Sequence, residues 1–282
     1  MRWLVLVMFA CGGPATPAVQ APPPPLAPDP DPGDREVGLA LASAPTGDPI
    51  RVTVVPPVVG EKYRLEMTST YRAQHTPTAA QLTEKAYTLD VEVLEVTAGI
   101  VTKLRATVVR SSEHTRLAKA DDTKAVLAGT YLVTAPQVPP EQRFDVQVVA
   151  TRGDGNPAGS WETEVLTDLL REELGRANTY RELARGHGLR LGEATQLEAI
   201  DKRVLIGADP KDDATALRVS AHANGTVTYQ ISLARDVAHL RLRVEFVVET
   251  ATGRVRETRV ISLVNEPGGA REDLRSVIRN TW

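Results

Sequence analysis

In repeated long runs between residues 60 and 265 apolar and polar side chains alternate one by one, and this pattern restricts the fold more than any other feature of the chain. A period of two belongs to extended backbone, where successive side chains point to opposite faces. Within 86–93, Tyr87, Leu89, Val91 and Val93 oppose Thr88, Asp90 and Glu92; within 100–108, Ile100, Thr102, Leu104, Ala106 and Val108 oppose Lys103, Arg105 and Thr107. Thr97-Ala98-Gly99 between them suits a hairpin turn. Residues 63–72 predict a neighbouring strand, and 126–133 and 143–151 two more.

The second half repeats the style. Leu217, Val219 and Ala221 alternate, Asn224-Gly225 is a tight-turn dipeptide, and Val227, Tyr229, Ile231 and Leu233 continue beyond it. Leu240, Leu242, Val244, Phe246 and Val248 then face away from Arg241, Arg243, Glu245 and Glu249, and Thr252-Gly253 turns the chain into 254–264. These strands run to roughly ten residues, against a usual length of about 5 to 6. With one apolar and one charged face each, they predict an antiparallel sheet buried on a single side.

That apolar face needs a cover, and the long helical pattern between the halves supplies one over residues 160–186. Trp161, Val165, Leu166, Leu169, Leu170, Leu174, Ala177, Tyr180, Leu183 and Ala184 form a stripe at helical spacing, with Asp168, Arg171, Glu172 and Arg176 opposite. Ser160 is the expected N-cap, Glu162 and Glu164 suit the positive end of the helix dipole, and Gly186 or Gly188 is a natural stop. The expected fold is therefore α+β: a large curved antiparallel sheet with one long helix packed across its apolar face. Gly60-Glu61 and Gly192-Glu193 each follow an apolar residue, Val59 or Leu191, and lead into strands, so two related halves are one reading and chance is the other. Residues 50–265 form the β-rich globular domain, and 266–282 a C-terminal tail, either a short helix or frayed.

Residues 12–49 are dominated by Gly, Pro, Ala and Asp, including the run Pro22 to Pro25. Such a stretch buries too little to offset its ordering entropy and reads as a semi-rigid tether over 11–49. Ahead of it, Arg2 precedes the apolar run Trp3 to Phe9, then Ala10 and the single cysteine, Cys11. Seven apolar residues cannot cross a bilayer as a helix, which needs about 20. The segment resembles a bacterial lipoprotein signal peptide. The resemblance implies that residues 1–10 are removed and that Cys11 is the lipidation site, anchoring the chain in the cell envelope. Gly12 stands where an inner-membrane retention aspartate would be, so the resemblance implies the outer membrane, facing the periplasm or the cell surface.

Few chemistries survive the survey. With Cys11 acylated no thiol remains for a disulfide or a nucleophile. The formal charge of −3 lacks the basic excess of nucleic-acid binders. In RGDGNPAGS, Gly153, Gly155 and Gly159 miss the spacing of a dinucleotide loop, and Asp154-Gly155-Asn156-Pro157 is the composition of a surface turn. His75, His114, His187, His222 and His239 lack a zinc spacing; Asp121-Asp122 and 209–213 lack the pattern of a calcium loop and read as acidic turns. No G-x-S-x-G or S-x-x-K is present, so no catalytic, metal or cofactor site is assigned. The expected role is a non-catalytic binding or assembly module with an envelope protein as partner. The alternative is a carrier or chaperone for lipid or another apolar ligand held between helix and sheet, since the pattern is similar to that of half-barrel lipid-carrier lipoproteins.

Overall fold

The computed structural model describes residues 44–76, 79–117, 120–124, 127–136, 147–170, 173–174, 188–197, 216–235, 240–265 and 270–282. Cys11, the signal segment and residues 11–43 of the tether lie outside this set. Alternation is realised in β1 (Lys62–Thr76), β2 (Ala79–Thr97), β3 (Ile100–Leu117), β4 (Ala120–Lys124), β5 (Thr130–Thr134) and β6 (Val149–Arg152). Helix α1 (Ser160–Leu170) separates these from β7 (Ala194–Gln196), β8 (Ala216–Ala223), β9 (Thr226–Arg235), β10 (Leu240–Glu249), β11 (Val255–Asn265) and β12 (Arg271–Thr281). All twelve strands join one antiparallel sheet, in the order β6-β5-β3-β2-β1-β12-β11-β10-β9-β8-β7, with β4 beside β3.

That order is a ring opened at one place. Starting from β1, the chain meanders outward to β6, passes through α1 to the far edge at β7, and meanders back to β12, which pairs with β1. Neighbours alternate in direction along the path, so β6 and β7 run the same way, and the sheet ends as an open sheet rather than a closed barrel. Both edge strands are short, four and three residues, which limits unwanted edge pairing. The outer edge of β6 is further covered by its own turn, where Ala158 N–H donates to Ala150 C=O at 2.9 Å.

The expected hairpins form. Ala98 and Gly99, and again Asn224 and Gly225, have positive φ at both central positions, the type I′ geometry that matches strand twist. The Gly-Glu pairs share one local structure. Gly60 N–H donates to Val93 C=O, Val93 N–H to Glu61 C=O and Glu61 N–H to Val58 C=O; Gly192, Val219, Glu193 and Arg190 repeat these three bonds in the same order. In each, the glutamate carboxylate also accepts from the N–H three residues back, Val58 or Arg190. Gly60 and Gly192 have φ of 85° and 82°, a region that penalises a Cβ, so glycine is required at both.

Three expectations are corrected, namely the helix cap, the C-terminal tail and the acidic turn at Asp121-Asp122. The helix is described for the eleven residues Ser160–Leu170, with helical turns resuming at Glu173 and Leu174; the rest of the expected span to 186 falls outside the described residues. Its cap is Gly159 rather than Ser160: Thr163 N–H donates to Gly159 C=O, and Glu162 at the third helical position accepts the Gly159 N–H at 2.7 Å, half of a capping box. Segment 266–282 is no tail, because Arg271–Thr281 is β12, a central strand between β1 and β11. Its many charges had hidden an alternation in which Leu274, Ser276, Ile278 and Asn280 share a face. Asp121 and Asp122 lie within β4, not in a turn.

Among the described residues the buried side chains form two clusters, and α1 belongs to one of them. Leu166, Leu169, Leu170 and Leu174 pack with Leu65, Leu89, Val91, Leu104 and Tyr131 of the first half. In the second half Leu217, Val227, Ile231, Val244 and Phe246 pack instead with Ile50, Val52, Leu189 and Leu197. Residues 46–55 act there as a strap, bonded to Leu191 and Leu189 at one side and to Thr250 and Thr252 at the other. Among the described residues no helix is long and apolar enough to cross a membrane.

Candidate functional site

Strands β1, β2 and β3 are 15, 19 and 18 residues long, reaching well past the part that α1 covers. Along the inner face of β2 the sequence of side chains is Val93, Val91, Leu89, Tyr87, Lys85, Thr83 and Gln81, so the lining changes from apolar to polar at Tyr87. Register carries that change sideways. Lys85 stands opposite Glu113 on β3 and Ser69 on β1, and Ser69 opposite Ser276 on β12; Thr83 stands opposite Thr115 and Tyr71. The result is a polar belt on the inner face, adjoining the apolar floor.

Within the belt, Lys85 Nζ lies 3.4 Å from Glu113 Oε2, and the two side chains are 27% and 11% exposed. Thr83 and Thr115 share a hydroxyl hydrogen bond of 3.3 Å, and Gln81 donates to Thr83. Tyr87 Oη and Ser111 Oγ, opposite one another at the boundary, are buried without a hydrogen-bond partner among the described residues, as is Ser262 Oγ on β11. Burial pushes the Tyr87 phenol above its ordinary range, assisted by the negative charges of Glu113 and Asp168. Asp168, on the polar flank of α1, thus acts on the same place as the strand residues. Tyr71 is raised likewise, by burial first and then by the charge of Glu272 and a hydrogen bond to it. The phenols therefore stay protonated and serve as neutral donors. A buried hydroxyl left unpaired costs about 1 to 3 kcal/mol, so these groups suit a guest that accepts from them.

The outer face offers less. Arg105 and Lys62 flank Glu92 at 2.7 and 3.9 Å, Arg64 grips Asp90 at 2.8 Å, and Arg279, Glu257, Arg259, Glu245 and Arg243 continue the alternation across β12, β11 and β10. An open groove of about 660 Å³ lies here, lined by Lys62, Arg64, Glu66, Asp90, Glu92 and Arg105. Lys62, Arg64, Asp90, Glu92 and Arg105 are paired with one another across strands, which leaves little to attract a charged ligand. At the end of the sheet, Trp282 stacks 5.6 Å from Tyr63 and lies beneath Arg254 and Arg256 at 5.1 and 5.7 Å, while Arg254 pairs with Glu61. This cluster pins the C-terminus beside the first residues of β1.

Of the residues singled out from sequence, His114 is half-buried on β3 and His222 exposed near the β8–β9 turn. His187, His239 and 209–213 fall outside the described residues, as does the lipidation site Cys11. Arg152 to Asn156 form an exposed turn in which Asp154 accepts the Asn156 N–H at 3.0 Å. No group of three His, Cys, Asp or Glu able to hold a metal occurs among the described residues. The belt itself was missed in the sequence. Its signal was available: polar residues at Lys85, Thr83 and Gln81 occupy the inward parity that Leu89 and Val91 establish.

No family model matches the chain, and no curated protein matches it in sequence. Among solved structures, DynF from the dynemicin biosynthesis pathway of Micromonospora chersina is 8% identical, with a TM-score of 0.20, 85% of this chain and 88% of that one being covered. A DUF1329 family protein from Desulfovibrio piger is 12% identical, with a TM-score of 0.25, covering 78% of this chain and 85% of that one. Values this low transfer no function.

Proposed function

We propose that this chain is a non-catalytic, membrane-tethered envelope module that holds an amphipathic ligand against the inner face of its sheet, on strands β1 to β3 beside α1. One observation carries the reading: beside the core that α1 covers, the partly buried Met67 and Val108 run into a belt holding the Lys85–Glu113 ion pair and the buried Tyr87 and Ser111 hydroxyls, which have no partner among the described residues. An apolar chain lies along Met67 and Val108 while its polar end accepts from the hydroxyls and from Lys85. Burial of apolar surface provides affinity, and a few convergent polar groups fix orientation, as in other small-molecule sites.

The full-length protein extracted from its own membrane is expected to carry a co-purified amphiphile in native mass spectrometry. Lys85→Met, made together with Glu113→Gln so that no buried carboxylate is left unpaired, should lower its occupancy by about tenfold relative to Glu113→Gln alone, the loss of one charge-assisted hydrogen bond worth about 1.5 kcal/mol. Unliganded wild-type protein, or equal occupancy in the two variants, would sink the proposal. The tether is tested separately: Cys11→Ala should abolish incorporation of radioactive fatty acid, and unchanged labelling would refute lipidation.

A further inference from the structure

Five large apolar residues are well exposed among those described, and three of them, Val55, Val58 and Val59, fall within one loop at 40, 58 and 65% exposure. The other two have local reasons: Val109 is the extra residue of a β-bulge opposite Thr88 and Leu89, and Val149 lies on the edge strand β6. Isolated exposed apolar residues are ordinary, whereas a cluster calls for a partner. Pro56 and Pro57 sit inside this one, fixing φ and removing two N–H groups, so the tip is stiff.

Its surroundings point to the same partner. The strap bonds Thr53 and Val55 to Thr250 and Thr252, and Thr250 bonds to Gly225, which brings the tip to the end of the sheet where the described turns 55–60, 98–99, 224–225 and 250–253 contain no charged residue. Trp282, with Arg254 and Arg256 over its ring, lies at this end too. Aromatic rings and arginine stems combine an apolar body with a polar head, the pairing that suits a membrane interface. The exposed turn 152–156, by contrast, carries Arg152 and Asp154.

We infer that this end of the sheet, with the Val55–Gly60 loop at its tip, rests on the lipid bilayer surface. The inference rests on the tether reading: the anchor captures the membrane and raises the local concentration of lipid, so the tip has only to orient the domain.

The test labels full-length Val59→Cys and Asp154→Cys proteins with an environment-sensitive nitrobenzoxadiazole, in phosphatidylcholine–phosphatidylglycerol vesicles with and without brominated lipid. Expected is a blue shift and loss of most emission to brominated lipid for the probe at 59, with neither at 154. Equal behaviour of the two probes in vesicles overturns the inference. A blue shift at 59 in detergent-free solution without vesicles also overturns it, since the tip would then be covered by a second copy. Two probes per chain would instead show Cys11 unblocked and the tether reading wrong; the same pair in a Cys11→Ser background then decides the tip by the same criteria.

Discussion

Ending the chain at Ala270 is expected to abolish cooperative folding, although it removes only twelve residues. β12 pairs along eleven positions with β1 and nine with β11, and it is the link between the two halves of the sheet. The cut would also remove the buried Ile278 from the core, expose Val255, strip Tyr63 of its Trp282 neighbour and leave two long edges open. Burial of one Ile contributes about 1.5 to 3 kcal/mol, so the sum of these losses exceeds the 5 to 15 kcal/mol by which domains are typically stable. The point substitution Ile278→Ala keeps the strand and should cost about 2 to 3 kcal/mol, readable as a lower urea midpoint with an unchanged slope. A truncated protein that still melts in one sharp transition would show that 271–281 is dispensable, as a tail would be.

Glu162→Ala is expected to be the most damaging substitution of a charged residue in the first half. The carboxylate accepts from Tyr131 Oη at 2.6 Å, from Arg152 through Nη2 at 2.6 Å and Nε at 3.1 Å, and from Gly159 N–H at 2.7 Å, tying β5 and β6 to the start of α1. Burial pushes the acid up, but the bonds from Arg152, Tyr131 and Gly159 and the Arg152 charge outweigh it and bring it down to about 2. Removing the group leaves the buried Tyr131 hydroxyl and the helix cap unsatisfied, and the expected loss is about 2 to 4 kcal/mol. Because the folded-state pKa is depressed, the contribution is complete above about pH 4.5 and disappears as pH falls toward 2. Allowing for screening around the half-exposed Arg152, about 2 kcal/mol should titrate in that window. Glu162→Gln should therefore be less stable than wild type at pH 7 and converge with it near pH 2 in urea melts. A stability difference independent of pH would contradict this account.

How far the sequence could be read depended on how locally each feature is encoded. The hairpins at Ala98-Gly99 and Asn224-Gly225 were legible because two adjacent residues set the turn. The inner apolar floor was legible because Leu89, Val91 and their neighbours declare parity over a few positions. β12 was not, since Arg271 to Arg279 carries five charged residues and its strand form comes from partners about two hundred residues away on β1 and nearby on β11. The polar belt escaped for a related reason: Lys85, Glu113, Ser69 and Ser276 come from four strands, and only their register makes them one surface.

By itself, then, the sequence determined a disulfide-free, one-sided antiparallel sheet with a helix between two strand-rich halves, because side-chain period and turn chemistry are short-range. Tertiary structure decided which strands meet, that the sheet stays open between β6 and β7, that a strap packs on the second core, and where the polar belt lies. Those depend on pairing and closure between residues far apart in the chain, whose selection comes from burying two complementary faces at once and leaves no mark within a local window of sequence.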